Sequence, residues 1–234
     1  MPPSTLIVVP TYNEADNVEP LLASIRRALP HAHVLVVDDA SPDGTAAIAR
    51  ALAVADPQLH LLERSAKLGI GSAYLAGFAW GLGRGFERFL EMDADFSHDP
   101  AYLPAFVAAL DAGAEVVVGS RNVPGGAVHG WGPLRHLLSK GGSWYSRLIL
   151  AAPVRDMTSG FKAYTRRALE VIDIGEIRSN GYAFQVETLA RAAQRKLRIV
   201  ELPIVFVDRR AGHSKMTLNE VWEAVWSVWR MRAP

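Results

Sequence analysis

The chain alternates short β-branched runs with stretches in which apolar residues return every three or four positions. Leu6-Ile7-Val8-Val9 ends at Pro10, as a buried strand does, and Val18, Leu21, Leu22, Ile25 and Leu29 then mark one helical face. Val34 to Val37 predicts a second strand, Thr45 to Ala55 a helix and Leu59 to Glu63 a third strand. Small residues from Gly71 to Leu82 predict a close-packed helix. A strand over Phe86 to Met92, a helix over Pro100 to Asp111 and a strand over Glu115 to Gly119 follow. This alternation implies an α/β fold, a mainly parallel sheet covered by helices on both faces. Ligands of such sheets sit beyond the carboxyl ends of the strands.

The second half has another texture. Arg121 to Pro133 is glycine-rich and predicts a mobile loop. Leu137, Leu138, Trp144, Leu148 and Ile149, interleaved with Arg135, Lys140 and Arg147, predict a helix lying at a membrane surface. Asp156 to Phe161 and Asn180 to Tyr182 read as turns, and Ala183 to Arg195 as a helix. Leu197 to Val207 reads as one long strand, put at a sheet edge by Pro203. A basic loop, Asp208 to Met216, leads into the capping box Thr217-Leu218-Asn219-Glu220. Leu218, Trp222, Val225 and Trp229 then recur at helical spacing, with Arg230 and Arg232 beyond. Tryptophans beside cations suit a helix in the membrane interface. The expected division is a globular domain over residues 1–216 and an amphipathic interfacial helix over 217–234.

Composition narrows the function. A formal net charge of +1 over 234 residues provides no global field for nucleic acid. The absence of cysteine excludes disulfides, thiol catalysis and Cys-ligated zinc, and fits a reducing cytoplasm. No apolar run approaches the roughly 18 residues that span a bilayer, and Leu6 to Val9 is too short for a signal peptide. The expected location is the cytoplasmic face of a membrane, held peripherally.

Acidic residues follow three of the predicted strands: Tyr12-Asn13-Glu14, Asp38-Asp39, and Asp93-Ala94-Asp95. In an extended chain Asp93 and Asp95 point the same way and repel unless a cation lies between them. Hard divalent ions take such oxygen ligands and bridge to phosphates. The bland reading of Asp93 to Pro100 is a solvated turn with Asp95 capping the next helix. Three acidic turns on one sheet edge favour a nucleotide with a divalent metal, since like charges gathered there cost energy.

With these residues in view, nearly the whole chain resembles the inverting family 2 glycosyltransferases, specifically the polyprenol (dolichol) phosphate mannose synthases. Val9 to Glu14 and Val37 to Thr45 are similar to the family's nucleotide loops, and Lys67 to Tyr74 to its Gly-rich segment. Asp93-Ala94-Asp95 matches the metal motif and Gly119-Ser120-Arg121 the arginine loop. Thr158 to Phe161, Gly181 to Glu187 and Arg209 to Met216 follow in family order. Ser97 stands where many relatives carry Gln.

The resemblance implies a GT-A-type catalytic domain over residues 1–216 that transfers mannose from GDP-mannose to a polyprenyl phosphate with inversion, using Mg²⁺ or Mn²⁺ at Asp93 and Asp95. It implies nucleotide-sugar contacts from Pro10, Tyr12, Glu14, one of Asp38 and Asp39, Lys67 and Ala94. Asp156 and Gln185 or Glu187 are expected at the sugar hydroxyls. Arg121, Arg135, Ser139, Arg209 and Lys215 are expected at the acceptor phosphate and diphosphate, with His98 either near the metal or a packing group. The short type it resembles attaches peripherally or through a membrane-anchoring partner protein. Transfer from UDP-glucose, or to a soluble acceptor, keeps the fold and changes the substrate. A haloacid-type phosphatase also has Asp-x-Asp, but on its first strand, whereas three strands precede Asp93. Gly69-Ile70-Gly71 lacks the third glycine of a dinucleotide site. Intact Asp93, Asp95 and Arg121 argue against a pseudoenzyme.

Overall fold

A computed structural model describes residues 4–179 and 181–208, together with Val228, Trp229 and Met231. In chain order the elements are β1 (Thr5–Thr11), α1 (Ala15–Ala28), β2 (His33–Asp38), α2 (Thr45–Ala55), β3 (Leu59–Glu63), α3 (Ile70–Leu82) and β4 (Arg88–Glu91). After them come α4 (Leu103–Asp111), β5 (Val116–Ser120), β6 (Ala127–His129), α5 (Pro133–Leu150), β7 (Lys162–Thr165) and α6 (Arg166–Ile172). The last are α7 (Gly181–Gln194), β8 (Ile199–Pro203) and β9 (Val205–Val207).

The main sheet has the order β3-β2-β1-β4-β7-β5-β8. Its pairs are parallel except those of β7, which runs antiparallel between β4 and β5. The expected mainly parallel sheet is therefore mixed at its centre. One core packs α1, α2 and α4 on one face, around Ile7, Leu21, Ile25 and Phe106. The other packs α3, α6 and α7 on the opposite face, around Tyr74, Phe78, Phe89 and Phe184. The small residues of α3 have a steric reason: a Cβ at Gly77 would overlap Val8, and one at Gly81 would overlap Leu6 and Phe89.

Three expectations change. The long strand over Leu197 to Val207 breaks at Ile204 into β8, at the sheet edge, and β9, which pairs with β6 in a separate ribbon. The Arg121 to Pro133 segment contains strand β6 as well as loop. The turn at Asp156 to Phe161 feeds β7, whose apolar signal was too short to read because Lys162 interrupts it.

Helix α5 has two apolar faces. Ser143, Ser146 and Leu150 are buried and Tyr145 and Ile149 pack against the core, so Ile149 leaves the expected membrane-facing set, while Leu137, Trp144 and Leu148 are 68%, 67% and 65% exposed. Most of the predicted helix over 217–234 lies outside the described residues. Val228 is buried in the core and the Met231 carbonyl accepts from Gln194 Nε2 at 3.1 Å. Among the described residues no helix is long and apolar enough to cross a membrane.

Candidate active site

The three acidic loops leave the carboxyl ends of β1, β2 and β4, which are neighbours in the sheet. Asp93 and Asp95 lie past the end of β4 at a bend rather than in extended strand, and Phe96 takes φ 61° within it. Each carboxylate is held by a named donor. Tyr74, fully buried on α3, donates its hydroxyl to Asp93 Oδ1 at 2.9 Å, and the Ser97 N–H donates to Asp95 Oδ1 at 3.0 Å. Burial, reinforced by the Asp93 charge, raises the Tyr74 pKa well above its ordinary value, so the phenol remains a donor. Asp99, not Asp95, caps the following helical turn by accepting from the Ala101 N–H.

His98 is a packing and positioning group. Its Nδ1 accepts from the Asp93 N–H at 3.1 Å and its ring stacks on Phe161. Burial lowers its pKa to about 4, in keeping with a neutral ring that accepts at Nδ1. Ser97 Oγ is buried and has no hydrogen-bond partner among the described residues.

On the β1–β2 side, Pro10 lies in β1 opposite Val37. Lys67 stands 3.9 Å over the ring of Tyr12, forming an exposed aromatic-cation pair just past the end of β1. The Glu14 N–H donates to Thr45 Oγ1, and Glu14 Oε2 accepts from Asn17. Asp38 is buried and accepts from Thr11 Oγ1, Ser41 N and Ser41 Oγ at 2.6–2.8 Å. Asp39 pairs with Arg64 at 2.8 Å and accepts from the N–H groups of Leu68 and Gly69. The second acidic loop thus pins the entry to α3, where Gly69 takes φ 95°. Ala94 is buried beside Asp93.

On the other side, Arg121 and Asp156 form a bidentate fork at 2.7 Å, almost wholly buried, and Arg121 also donates to Thr158 Oγ1. Asp156 also accepts from the Arg121 main chain and, at 3.4 Å, from Thr158 Oγ1. Arg135 donates from one nitrogen to both oxygens of Asp208 and lies 4.3 Å over Trp131. Ser139 is half-buried on α5. Glu187 accepts from the Ser179 N–H and pairs with Arg191, a helix-facing structural role. Arg209 and Lys215 lie outside the described residues.

Glu91 and Lys162, opposite each other in the β4–β7 register, form an ion pair at 2.9 Å with no exposure. Lys162 Nζ also reaches Gln185 Oε1 and Thr188 Oγ1. Burial raises the Glu91 pKa to about 7 and lowers that of Lys162. Neither this pair nor Arg64 belongs to a motif, and Tyr74 is only the last residue of the Lys67 to Tyr74 segment. For Glu91 and Lys162 the signal was a charge inside each apolar strand run, which requires a buried partner.

A mostly parallel sheet that gathers acidic turns at its carboxyl edge, with Asp-Ala-Asp at the end of β4, defines a GT-A-type glycosyltransferase. The chain belongs to glycosyl transferase family 2, whose model matches residues 6–173. It is 46% identical over 231 residues to a polyprenol monophosphomannose synthase of Mycolicibacterium smegmatis, covering 97% of this chain and 87% of that one. It is 47% identical over 225 residues to an undecaprenyl-phosphate mannosyltransferase of Micrococcus luteus, covering 96% of this chain and 92% of that one. The fold is shared with Mycobacterium tuberculosis glucosyl-3-phosphoglycerate synthase in complex with Mn²⁺, uridine diphosphate and phosphoglyceric acid. That match has a TM-score of 0.71 at 19% identity, over 99% of this chain and 79% of the other.

Proposed function

We propose that this glycosyltransferase moves mannose from GDP-mannose to a polyprenyl phosphate, inverting the anomeric carbon, at a membrane surface. One contact carries the lipid part of this reading. Ser143, on the buried face of α5, lies 3.4 Å from Thr158 Oγ1, which itself accepts from Arg121. The arginine fork is therefore backed by the helix that exposes Leu137, Trp144 and Leu148. An acceptor with an anionic head and an apolar tail matches both features. The names of the relatives at 46% and 47% identity support mannose as the sugar and a polyprenyl phosphate as the acceptor.

The donor set suits a hard divalent cation: two carboxylates two residues apart, followed two residues on by Ser97, whose hydroxyl is buried and has no hydrogen-bond partner among the described residues. Asp93, Asp95 and Ser97 would hold Mg²⁺ or Mn²⁺, which neutralises charge on the diphosphate leaving group. Tyr12 and Lys67 cover the nucleotide at the mouth, and Glu14 faces it from the turn after β1. Arg121 and Arg135, with Arg209 and Lys215 from the basic loop, draw the acceptor phosphate toward the donor. One acceptor oxygen forms the new bond to the anomeric carbon as the bond to the β-phosphate oxygen breaks, and the electron pair leaves with the nucleoside diphosphate. The acceptor is already anionic at neutral pH, so no strong general base is required.

Purified protein incubated with labelled GDP-mannose, Mg²⁺ or Mn²⁺ and a polyprenyl phosphate is expected to carry label into the organic phase. Chelation is expected to abolish this transfer. Transfer from UDP-glucose alone would overturn the donor assignment, and no transfer from any nucleotide sugar would overturn the reading itself.

A further inference from the structure

We propose that Lys162, anchored by Glu91, is a positioning residue that turns the side-chain amide of Gln185 so that its NH₂ group faces the Asp93 carboxylate across Gly160, ready to donate to an oxygen of the transferred sugar. This rests on the glycosyl-transfer reading above. Stability does not explain the Glu91–Lys162 pair, because apolar residues of similar volume commonly serve a core as well as a buried ion pair. Its geometry does more. An ammonium group has three donors and no acceptor. Lys162 Nζ forms an ion pair with Glu91 Oε1 at 2.9 Å and donates to Gln185 Oε1, to Thr188 Oγ1 at 3.1 Å and, at 3.5 Å, to the Gln185 carbonyl.

The Gln185 oxygen must therefore point to Lys162, and its Nε2 points the other way. There it borders Gly160, where a methyl group would just fit in van der Waals contact. A Cβ at Gly160 would stand 3.5 Å from Gln185 Nε2, 3.6 Å from Asp93 Oδ2 and 3.4 Å from His98 Cε1. Glycine at 160 leaves a methyl-sized gap between Gln185 Nε2 and Asp93 Oδ2, while Asp93 Oδ1 accepts from Tyr74. A flipped amide would set its carbonyl toward the carboxylate and offer no donor there.

A double-mutant cycle on the full chain tests this, comparing Gln185→Leu, the paired Glu91→Leu/Lys162→Met, and the triple combination. The paired variant is expected to keep its Tm within a few degrees and to lose about tenfold or more in kcat/KM for the nucleotide sugar. In the Gln185→Leu background the same change is expected to cost nothing further. Full kcat/KM in the folded paired variant, or losses that multiply in the triple variant, would overturn the proposal.

Gln185→Glu provides a second test that leaves Glu91 and Lys162 intact. Its carboxylate still accepts from Lys162 but offers no donor, so kcat/KM should fall as in Gln185→Leu, and wild-type turnover would refute the assignment. A readout free of turnover is the ¹⁵N–¹H pair of the Gln185 side chain, identified by its loss in Gln185→Leu. It should move in the paired variant without substrate, and an unmoved pair would overturn the proposal. A moved pair in a protein that transfers no sugar would instead sink only the transfer reading.

Discussion

Tyr74 illustrates how much of the site is made by residues that need not touch substrate. Its hydroxyl holds Asp93 Oδ1 from a fully buried position, fixing the carboxylate rotamer. Tyr74→Phe preserves the ring packing against Phe184 and removes only that bond. Hydrogen bonds to charged groups contribute about 1.5–3 kcal/mol, so kcat/KM is expected to fall by roughly 10- to 100-fold with the fold intact. Wild-type kinetics in this variant would show that Asp93 needs no such support. Asp93, Asp95 and Arg121 were legible as site candidates because charges clustered after strands demand an explanation. The partners were not legible: that Asp156 grips Arg121, or that Asp39 takes Arg64, depends on contacts between residues far apart in the chain.

At the scale of elements, α5 is the clearest link between pattern and function. Its mixed apolar and basic sequence predicted an interfacial helix exposing Leu137, Leu138, Trp144, Leu148 and Ile149, of which Ile149 packs on the core instead. The fold turns Ser143 and Ser146 inward, Ser143 against Thr158, and leaves Leu137, Trp144 and Leu148 exposed. Replacing Leu137, Trp144 and Leu148 together with Gln is expected to release the protein from polyprenyl-phosphate-containing vesicles in a flotation assay. Each apolar side chain docked in lipid contributes about 1.5–3 kcal/mol, so the loss should be large while transfer to a short-chain soluble acceptor persists. Unchanged flotation would assign vesicle binding to other surfaces. Strands β1 to β5 were readable because each is a compact apolar run. β7 was not, since Lys162 occupies a buried position that only the facing Glu91 makes tolerable.

Over the whole molecule, function and stability draw on opposite ends of the sheet. The acidic site occupies the carboxyl edge, whereas His33 at the start of β2 meets His60 of β3, Nδ1 to Nε2 at 2.9 Å, beside Trp80 and Phe86. Burial first, then the charge of Arg26, lowers the pKa of His33 below 6.5; for His60 burial is followed by the neighbouring His33. As pH falls through 6.5 the unfolded chain therefore takes up protons before the folded one, and stability is lost toward acid. Urea unfolding at pH 8 and 5.5 should show a smaller acid loss in His33→Gln/His60→Gln than in the wild type. Equal losses would exclude the pair as a source. The sequence by itself determined the α/β class, the three acidic turns, the candidate cations and the family likeness, because these rest on local periodicity and on motifs read in order. Tertiary structure alone decided the antiparallel β7, the burial of Ser143 and Ser146 in α5 and the contacts that hold Asp93, Arg121 and Gln185. Those depend on which distant side chains become buried together, where an unpaired charge or donor is too costly to leave alone.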